Sequence, residues 1–291
     1  MASIPPARTL QCLFYNDDDC VNFLLEKGIL YNDVCCPSGH KRVRLENHRW
    51  RCSLKNCRRS RTIFKDTIFE DAKIGPGRII EAAYHWLNDS SHKQIMSITG
   101  LEKPTITSLL AQFREIIASN IKECSDKIGG PGIVVEIDET AFGRRKYNVG
   151  HVVKETWVFG GVERTKERRI FARVVPNRSR KTLFAIIKEC VADGSIIYSD
   201  MWAAYASIER DLNMEHGSVN HSTNFKDPET EVHTNTIEGN WNGFKIKILP
   251  RNRSQDRMQD HIYERIWKRQ NNDTLWDSFI RCLSEFAVTK A

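Results

Sequence analysis

The sequence predicts an α/β protein in which a mixed sheet with helices on its faces follows a cysteine-rich basic module and a helical domain. Three observations predict this order. Strand-like apolar runs alternate with helical patterns after residue 132, apolar residues recur at helical spacing between residues 78 and 117, and four cysteines fall within residues 35–57. The expected domains are an N-terminal segment 1–30, a basic module 31–72, a helical domain 73–128 and an α/β domain 129–291.

Composition bounds the class of protein. The chain has 291 residues, of which 40% are hydrophobic and 28% charged, enough for a buried core, and its 44 Lys and Arg against 37 acids give a formal charge of +7. No run of 18 apolar residues and no basic leader with an apolar stretch is present. We therefore expect a soluble, intracellular protein with no membrane partner, whose nine cysteines are reduced thiols.

The basic module contains ten Lys or Arg and one acid between Lys41 and Lys65. So short a segment has few apolar residues, and a bound metal is the usual supplement. Two pairs of residues have the side chains that tetrahedral zinc prefers, although their spacing is looser than two C-x2-C pairs. Cys35 is an alternative ligand to Cys36. The alternative to a zinc site is that these cysteines are buried thiols that bind no metal. The expected zinc ligands are Cys36, His40, Cys52 and Cys57.

The helical domain has the pattern of a helix-turn-helix. Helices are predicted at residues 78–88 and 92–99, the second opened by a capping box from Ser91 to Gln94, and a third begins at Pro104 after a turn at Gly100. In a helix-turn-helix the last helix enters the major groove of DNA. A three-helix bundle that contacts no nucleic acid is the alternative. The residues expected to face the groove are Lys103, Thr105, Thr107 and Ser108.

The α/β domain follows the linker Gly129-Gly-Pro-Gly132. Strands are predicted at 133–140, 156–162, 169–175 and 195–199, with a weaker one at 216–222. Helices are predicted at 179–191 and 201–210, and a final helix begins near Asn235 and stops at Pro250.

Three acids stand where strands or helices of this domain end or begin. Asp138 and Asp200 each end an apolar run, and Glu238 lies in the first turn of the last predicted helix. Carboxylates at neighbouring strand ends can hold two divalent ions for phosphoryl transfer, and hard oxygen donors favour Mg²⁺ or Mn²⁺ over zinc. Each acid also has a structural reading, as a turn residue or a helix cap. Glu136 and Glu139 crowd Asp138, and spacing alone does not say which of them binds metal.

Basic residues flank the three acids. Residues 144–181 hold twelve Lys or Arg and three acids, and residues 245–269 hold eight against three. Lys245 follows Glu238 by two helical turns, so it lies on the same helix face, where it could contact a DNA phosphate. We expect Arg251 to contact phosphate as well. Unless other observations point to DNA, any single Lys or Arg in these stretches is interpreted as a solvated surface residue.

Three blocks of the sequence resemble the DDE transposases of the Merlin superfamily and their bacterial insertion-sequence relatives. They are residues 135–147 (VEIDETAFGRRKY), 197–205 (IYSDMWAAY) and 233–245 (HTNTIEGNWNGFK). The resemblance implies an RNase H-like catalytic domain with Asp138, Asp200 and Glu238 as its triad. It also implies a zinc-binding module and a helix-turn-helix that bind terminal inverted repeats. The sequence departs from a tidy zinc ribbon at Gly39 and His40, where a second cysteine is expected.

The expected function is cut-and-paste DNA transposition. Water attacks the phosphodiester first, and the freed 3′-hydroxyl then attacks target DNA, so that no protein nucleophile is needed. The resemblance implies a homodimer or larger assembly on DNA, and work in the nucleus if the host is eukaryotic. Two alternatives stay open at this point: a domesticated DNA-binding protein without catalysis, and a metal-dependent repair nuclease.

Overall fold

The computed structural model describes residues 3–30, 35–41, 43–123, 126–143, 155–219 and 232–290. It divides into two compact units, the first made of residues 1–120 and 271–291 and the second of residues 121–270. Residues 271–291 thus group with the amino-terminal residues, whereas the sequence pattern assigned them to the α/β domain. In the described part of the chain, no helix combines the length and the apolar character needed to cross a membrane.

Among the described residues, the first unit contains a small antiparallel sheet and six α-helices. The strands pair in the order β1-β2-β3, with the tight turn Asn47–His48 joining the first two. The strands are β1 (Val43–Glu46), β2 (Arg49–Cys52) and β3 (Ser60–Thr62). The helices are α1 (Gln11–Tyr15), α2 (Asp17–Glu26), α3 (Pro76–Leu87), α4 (His92–Thr99), α5 (Lys103–Glu123, whose last residues enter the second unit) and α10 (Leu275–Lys290).

The three helices of the predicted helix-turn-helix form where the sequence places them. The capping box at the start of α4 is present, because Gln94 N–H donates to Ser91 Oγ at 3.3 Å and Ser91 N–H donates to Gln94 Oε1 at 2.8 Å. Helix α3 is buried over most of its surface, and its Trp86 ring packs 5.4 Å from Phe113 and 5.6 Å from Phe279 of α10. These apolar contacts hold the helices of the first unit together.

The second unit is a five-stranded mixed sheet in the order β6-β5-β4-β7-β8, antiparallel from β6 to β4 and parallel from β4 to β8. Its strands are β4 (Val134–Phe142), β5 (Thr156–Glu163), β6 (Ile170–Val175), β7 (Ile196–Asp200) and β8 (Glu215–Val219). Its other helices are α6 (Arg180–Cys190), α7 (Ile208–Leu212), α8 (Asn235–Lys247) and α9 (Gln255–Gln270).

Two separate apolar clusters cover the faces of this sheet. One contains residues of α6 and α7, such as Leu183 and Ile208, and the other contains residues of α8 and α9, such as Trp241 and Ile262. The sheet is therefore a middle layer between helices on both faces, which is the mixed α/β architecture that the sequence predicts.

Two predictions about helices are wrong. The segment 201–210 is not one helix, because a 3₁₀ turn at Ala203–Tyr205 precedes the short α7. The helix that begins at Asn235 is not the last, because α9 and α10 follow it. Helix α9 is rich in charged residues, and its apolar stripe of Met258, Ile262 and Ile266 is correspondingly inconspicuous in the sequence.

Candidate active site and candidate metal centre

Strand β4 directs its acids to the two faces of the sheet. Side chains alternate along a strand, so Glu136 and Asp138 share one face and Glu139 lies on the other. The shared face is the one covered by α8, because Trp241 Nε1 donates to Asp138 Oδ2 at 3.0 Å. The structure therefore separates Glu139 from Glu136 and Asp138, although the three acids are close together in the sequence.

Asp138 and Asp200 lie side by side. Strands β4 and β7 are parallel and pair Val134 with Ile196 and Glu136 with Tyr198. Two residues further along the same register, β7 reaches its last residue, Asp200, beside Asp138. Asp200 is the last residue of β7, but Asp138 lies in the middle of β4, so the expectation that both acids stand at strand ends is wrong for Asp138.

The surroundings of Asp138 disfavour an isolated negative charge. Burial, together with the charges of Glu139 and Asp200, raises the pKa of this carboxyl to about 7, against the opposing effect of the hydrogen bond from Trp241. A bound cation would relieve both the burial and the repulsion. The site therefore suits a positively charged ligand.

Gly160 makes room for the indole that holds Asp138. It is the partner of Asp138 on β5, and a Cβ atom at this position would lie 2.6 Å from Cη2 of Trp241 and 2.6 Å from the Phe171 carbonyl oxygen. Any side chain here would push the indole away from the sheet. The close approach of α8 to β4 thus depends on a glycine.

Glu136 anchors the start of α8. Its side chain is fully buried, and its carboxylate accepts hydrogen bonds from Thr236 N–H at 2.8 Å, Thr236 Oγ1 at 2.8 Å and Ile237 N–H at 3.0 Å. Arg164 Nε also donates to it at 2.6 Å. The first N–H groups of a helix need acceptors and favour a negative charge. Glu136 is thus a positioning residue for the helix that bears Glu238.

Glu238 is half-buried in the first turns of α8 and accepts a hydrogen bond from Thr234 Oγ1 at 3.2 Å. Trp241 follows it by three residues, which places both on one face of the helix. Because Glu136 holds the helix start and Trp241 contacts Asp138, Glu238 lies along the stretch of β4 that carries Glu136 and Asp138. Thr234 is the residue immediately before the helix.

The three predicted catalytic acids do not form a closed cage. Among the described residues, the sole group of three or more His, Cys, Asp or Glu ligand atoms within 4.8 Å of one another lies in the cysteine module. Magnesium sites in phosphoryl transfer often use few carboxylates and complete the shell with water and substrate phosphate. An open set of carboxylates is consistent with that use.

Glu139 faces the opposite cluster of the sheet, together with Tyr205. Burial raises the pKa of the Glu139 carboxyl. The Tyr205 hydroxyl interacts with the Glu139 carboxylate and opposes this shift. The sequence left Glu139 open as a metal ligand, and the structure places it across the sheet from Trp241 and α8.

The predicted phosphate contacts lie at the far end of α8. Lys245 is half-buried, with Nζ 5.8 Å from the Phe142 ring centre. Burial lowers its pKa, and the charge of Asp138 opposes this shift. Arg251 is exposed in the 3₁₀ turn Pro250–Asn252. The basic stretch 144–181 falls partly outside the described residues, because 144–154 are not among them.

The residues predicted to read DNA lie in the first two turns of α5. Lys103, Thr107 and Ser108 are exposed and Thr105 is half-buried. The Thr107 hydroxyl donates to the Lys103 carbonyl at 2.9 Å, so part of its capacity is used within the helix. The buried Ile106 lies between them and faces the core.

The cysteine module brings its four predicted ligands together. The Cys36 and Cys57 sulfurs are 3.7 Å apart, and His40 Nδ1 is 3.4 Å from Cys36 Sγ and 3.7 Å from Cys52 Sγ. Around a tetrahedral zinc, two sulfur ligands lie about 3.8 Å apart, and a sulfur and a nitrogen about 3.5 Å apart. The spacing and the donor set therefore fit one zinc ion.

Tight turns place these ligands. Gly39 adopts a φ of 77° and its N–H donates to the Cys36 carbonyl at 2.8 Å, which brings His40 back toward Cys36. On the second turn, Cys57 N–H donates to the Leu54 carbonyl at 3.0 Å. Cys35, the alternative ligand, is outside the cluster. His40 thus takes the place of the second cysteine that a zinc ribbon would have near Cys36.

Sequence reasoning missed the helix anchor at Glu136 and the bond from Trp241 to Asp138. An acid facing inward in the middle of an apolar strand was the available signal for the first, because buried carboxylates need donors. Only the pairing of α8 with β4 reveals the second.

Comparison with known proteins gives matches to a domain family, a bacterial relative and a solved structure. Residues 128–268 match the ISXO2-like transposase domain. An uncharacterized transposase-like protein of Haemophilus influenzae is 29% identical over 106 residues, which are 36% of this chain and 84% of that protein. The crystal structure of the Mos1 strand transfer complex aligns with 70% of this chain and 81% of its own at 11% identity, but with a TM-score of 0.22 it does not bear on the fold. The domain match and the bacterial relative support a transposase, a protein class that cuts and joins DNA.

Proposed function

We propose that this protein is a DDE-type, cut-and-paste DNA transposase with Asp138, Asp200 and Glu238 as its catalytic acids. The observation that carries the proposal is that Asp138 and Asp200 lie on adjacent parallel strands, close enough for their charges to interact, under a helix that bears Glu238 and binds Asp138 through Trp241. The match of residues 128–268 to a transposase domain supports it.

The residues of the site have distinct roles in this proposal. Asp138, Asp200 and Glu238 would hold two Mg²⁺ or Mn²⁺ ions. When bound, these ions supply positive charge that activates the attacking oxygen and stabilises the leaving one. Trp241 orients one Asp138 oxygen, while Glu136 fixes the start of α8.

Other parts of the chain would bind the DNA. Lys103, Thr105, Thr107 and Ser108 of α5 would contact the terminal inverted repeat, beside a zinc-stabilised module. Lys245 and Arg251 would bind phosphate near the scissile bond. The proposal also includes membership of the Merlin superfamily and an RNase H-like catalytic domain. The protein would act as a homodimer or larger assembly, in the nucleus if the host is eukaryotic.

The decisive experiment is strand cleavage and strand joining with the purified full-length chain on its own element ends, with Mg²⁺ or Mn²⁺. We expect Asp138→Asn, Asp200→Ala and Glu238→Gln each to abolish both reactions while end binding stays near that of the wild type. Cleavage without joining would indicate a repair nuclease. Binding without cleavage by the wild type would indicate a domesticated protein, and retained cleavage in Asp200→Ala would refute the triad.

Glu139→Gln is the matched control for these variants. It neutralises the acid adjacent to Asp138 in sequence, but on the opposite face of the sheet. We expect it to retain cleavage. A greater loss of cleavage in Glu139→Gln than in Asp138→Asn would indicate that Glu139, on the other face, is the metal ligand instead of Asp138.

A further inference from the structure

A stack of two indoles and a guanidinium stands beside Asp200. The Arg178 guanidinium carbon lies 3.8 Å from the ring centre of Trp157 and 4.9 Å from that of Trp202. Trp157 is half-buried and packs against the apolar cluster beneath α6, whereas Trp202 is 42% exposed. The stack therefore begins in the core and ends in an indole that faces solvent.

The exposed end of the stack is fixed to the active site. Trp202 N–H donates to Asp200 Oδ1 at 3.0 Å, so the same carboxylate that would bind metal also sets the backbone of Trp202. Met201, between them, is 65% exposed. Two large apolar side chains are thus displayed next to a catalytic acid rather than buried, which is typical of a surface that meets a ligand.

The charge around the stack fits a polyanion. Arg178, Arg180 and Lys181 lie within four residues at the start of α6, and Lys181 is exposed. Arg180 contacts Ser207 Oγ at 3.1 Å and Asp211 at 3.8 Å, which leaves this end of the helix with a surplus of positive charge. Aromatic faces beside cations are the usual elements of a site for unpaired nucleic acid.

We infer that Trp202, backed by Arg178, stacks against an unpaired nucleobase next to the phosphate that would be cleaved beside Asp200. This inference rests on the proposed function and adds the state of the substrate: DNA that is locally unpaired at the point of cleavage. A base inside a duplex has both faces covered by its neighbours, so only a base that has left the stack can lie on the indole. The energy of stacking on Trp202 offsets part of the cost of unpairing.

The test compares binding of two DNA probes by the full-length chain. One is a short duplex with a central unpaired bubble, and the other is the same duplex fully paired, each with 2-aminopurine in the central stretch. We expect the wild type to bind the bubble more tightly and to quench its fluorescence. Trp202→Ala should weaken bubble binding by about 5- to 150-fold and abolish the quenching, because one base stack is lost. Trp202→Phe, which keeps a flat ring, should retain most of both.

Trp157→Phe is the matched control, because it changes an indole of the same stack that is not the exposed one. It should keep the preference for the bubble. Equal binding of both probes by the wild type, or an unchanged preference in Trp202→Ala, would overturn the inference while leaving the proposed function intact if the chain still cleaves DNA. A wild type that neither binds nor cleaves DNA would refute the proposed function itself. Preference and quenching that depend on Trp202 would support the inference.

Discussion

The contact between Glu136 and the start of α8 predicts that one buried carboxylate controls both stability and cleavage. Glu136→Ala removes the acceptor for two backbone N–H groups, one hydroxyl and Arg164. Breaking a buried charged network by deleting one partner costs about 3–5 kcal/mol. For a unit of residues 121–270, at about 2–4 °C per kcal/mol, the melting temperature should fall by roughly 6–20 °C.

The milder variant Glu136→Gln should lose less. Its amide oxygen can still accept hydrogen bonds from the helix start, but its NH₂ group would confront the donor of Arg164. A loss of about 1–3 kcal/mol is expected for an imperfectly satisfied buried group. Thermal unfolding followed by far-ultraviolet circular dichroism measures both variants.

Glu163→Ala separates stability from catalysis. Glu163 is also buried and accepts hydrogen bonds from Gly129 N–H at 2.8 Å and Thr165 Oγ1 at 2.7 Å, with Arg169 at 2.9 Å, but it does not contact α8. Both alanine variants should melt earlier, and at temperatures well below melting only Glu136→Ala should cleave DNA more slowly. Wild-type melting of Glu136→Ala, or equal loss of cleavage in Glu163→Ala, would refute the reasoning.

Three other regions of the chain give predictions. Metal analysis should find about one zinc per chain, which is lost in Cys36→Ser and kept in Cys35→Ser. The reverse pattern would indicate that Cys35 is the ligand in place of Cys36. Burial raises the pKa of Glu81 above 4.5, so its contribution to stability is present below that value and is lost as pH rises through the raised pKa. The urea midpoint of Glu81→Gln should therefore exceed that of the wild type at about pH 8 and match it at about pH 4, and equal midpoints at both would contradict this. Thr105→Ala should lower the preference for cognate over random DNA by about 1–3 kcal/mol in competition binding. Lys245→Ala should weaken both DNAs alike and reduce the logarithmic salt slope by about one unit, and identical behaviour of these two variants would mean that α5 does not read sequence.

Local patterns were sufficient to predict most secondary-structure elements. Short apolar runs predicted β4 and β5 to within two residues, and helix-end residues such as Ser91 predicted the start of α4, because these signals act over a few residues. Helix α9 was missed because charged side chains surround its apolar stripe. The assignment of α10 to the first unit depends on contacts with α3, which lies far away in sequence.

The candidate site was likewise predictable where the signal is local and not where it depends on the packing of distant segments. That Asp138 and Asp200 each follow an apolar run is visible in the sequence, but that their strands are neighbours in parallel register is a property of the sheet. Likewise, Glu136 and Glu139 are equivalent candidates until the face occupied by α8 is known. The grouping of Cys36 with His40 was predictable, because both lie on one short turn.

The alternation of acids along β4 also constrains the gene that encodes it. Loss of a single codon between Glu136 and Asp138 would preserve the reading frame and almost every residue of the protein. It would nevertheless turn one of these two acids to the opposite face of the sheet, since side-chain direction reverses with each residue. The chain would then lack either the anchor of α8 or the carboxylate bound by Trp241. In this stretch, the number of residues is therefore as strongly constrained as their identity.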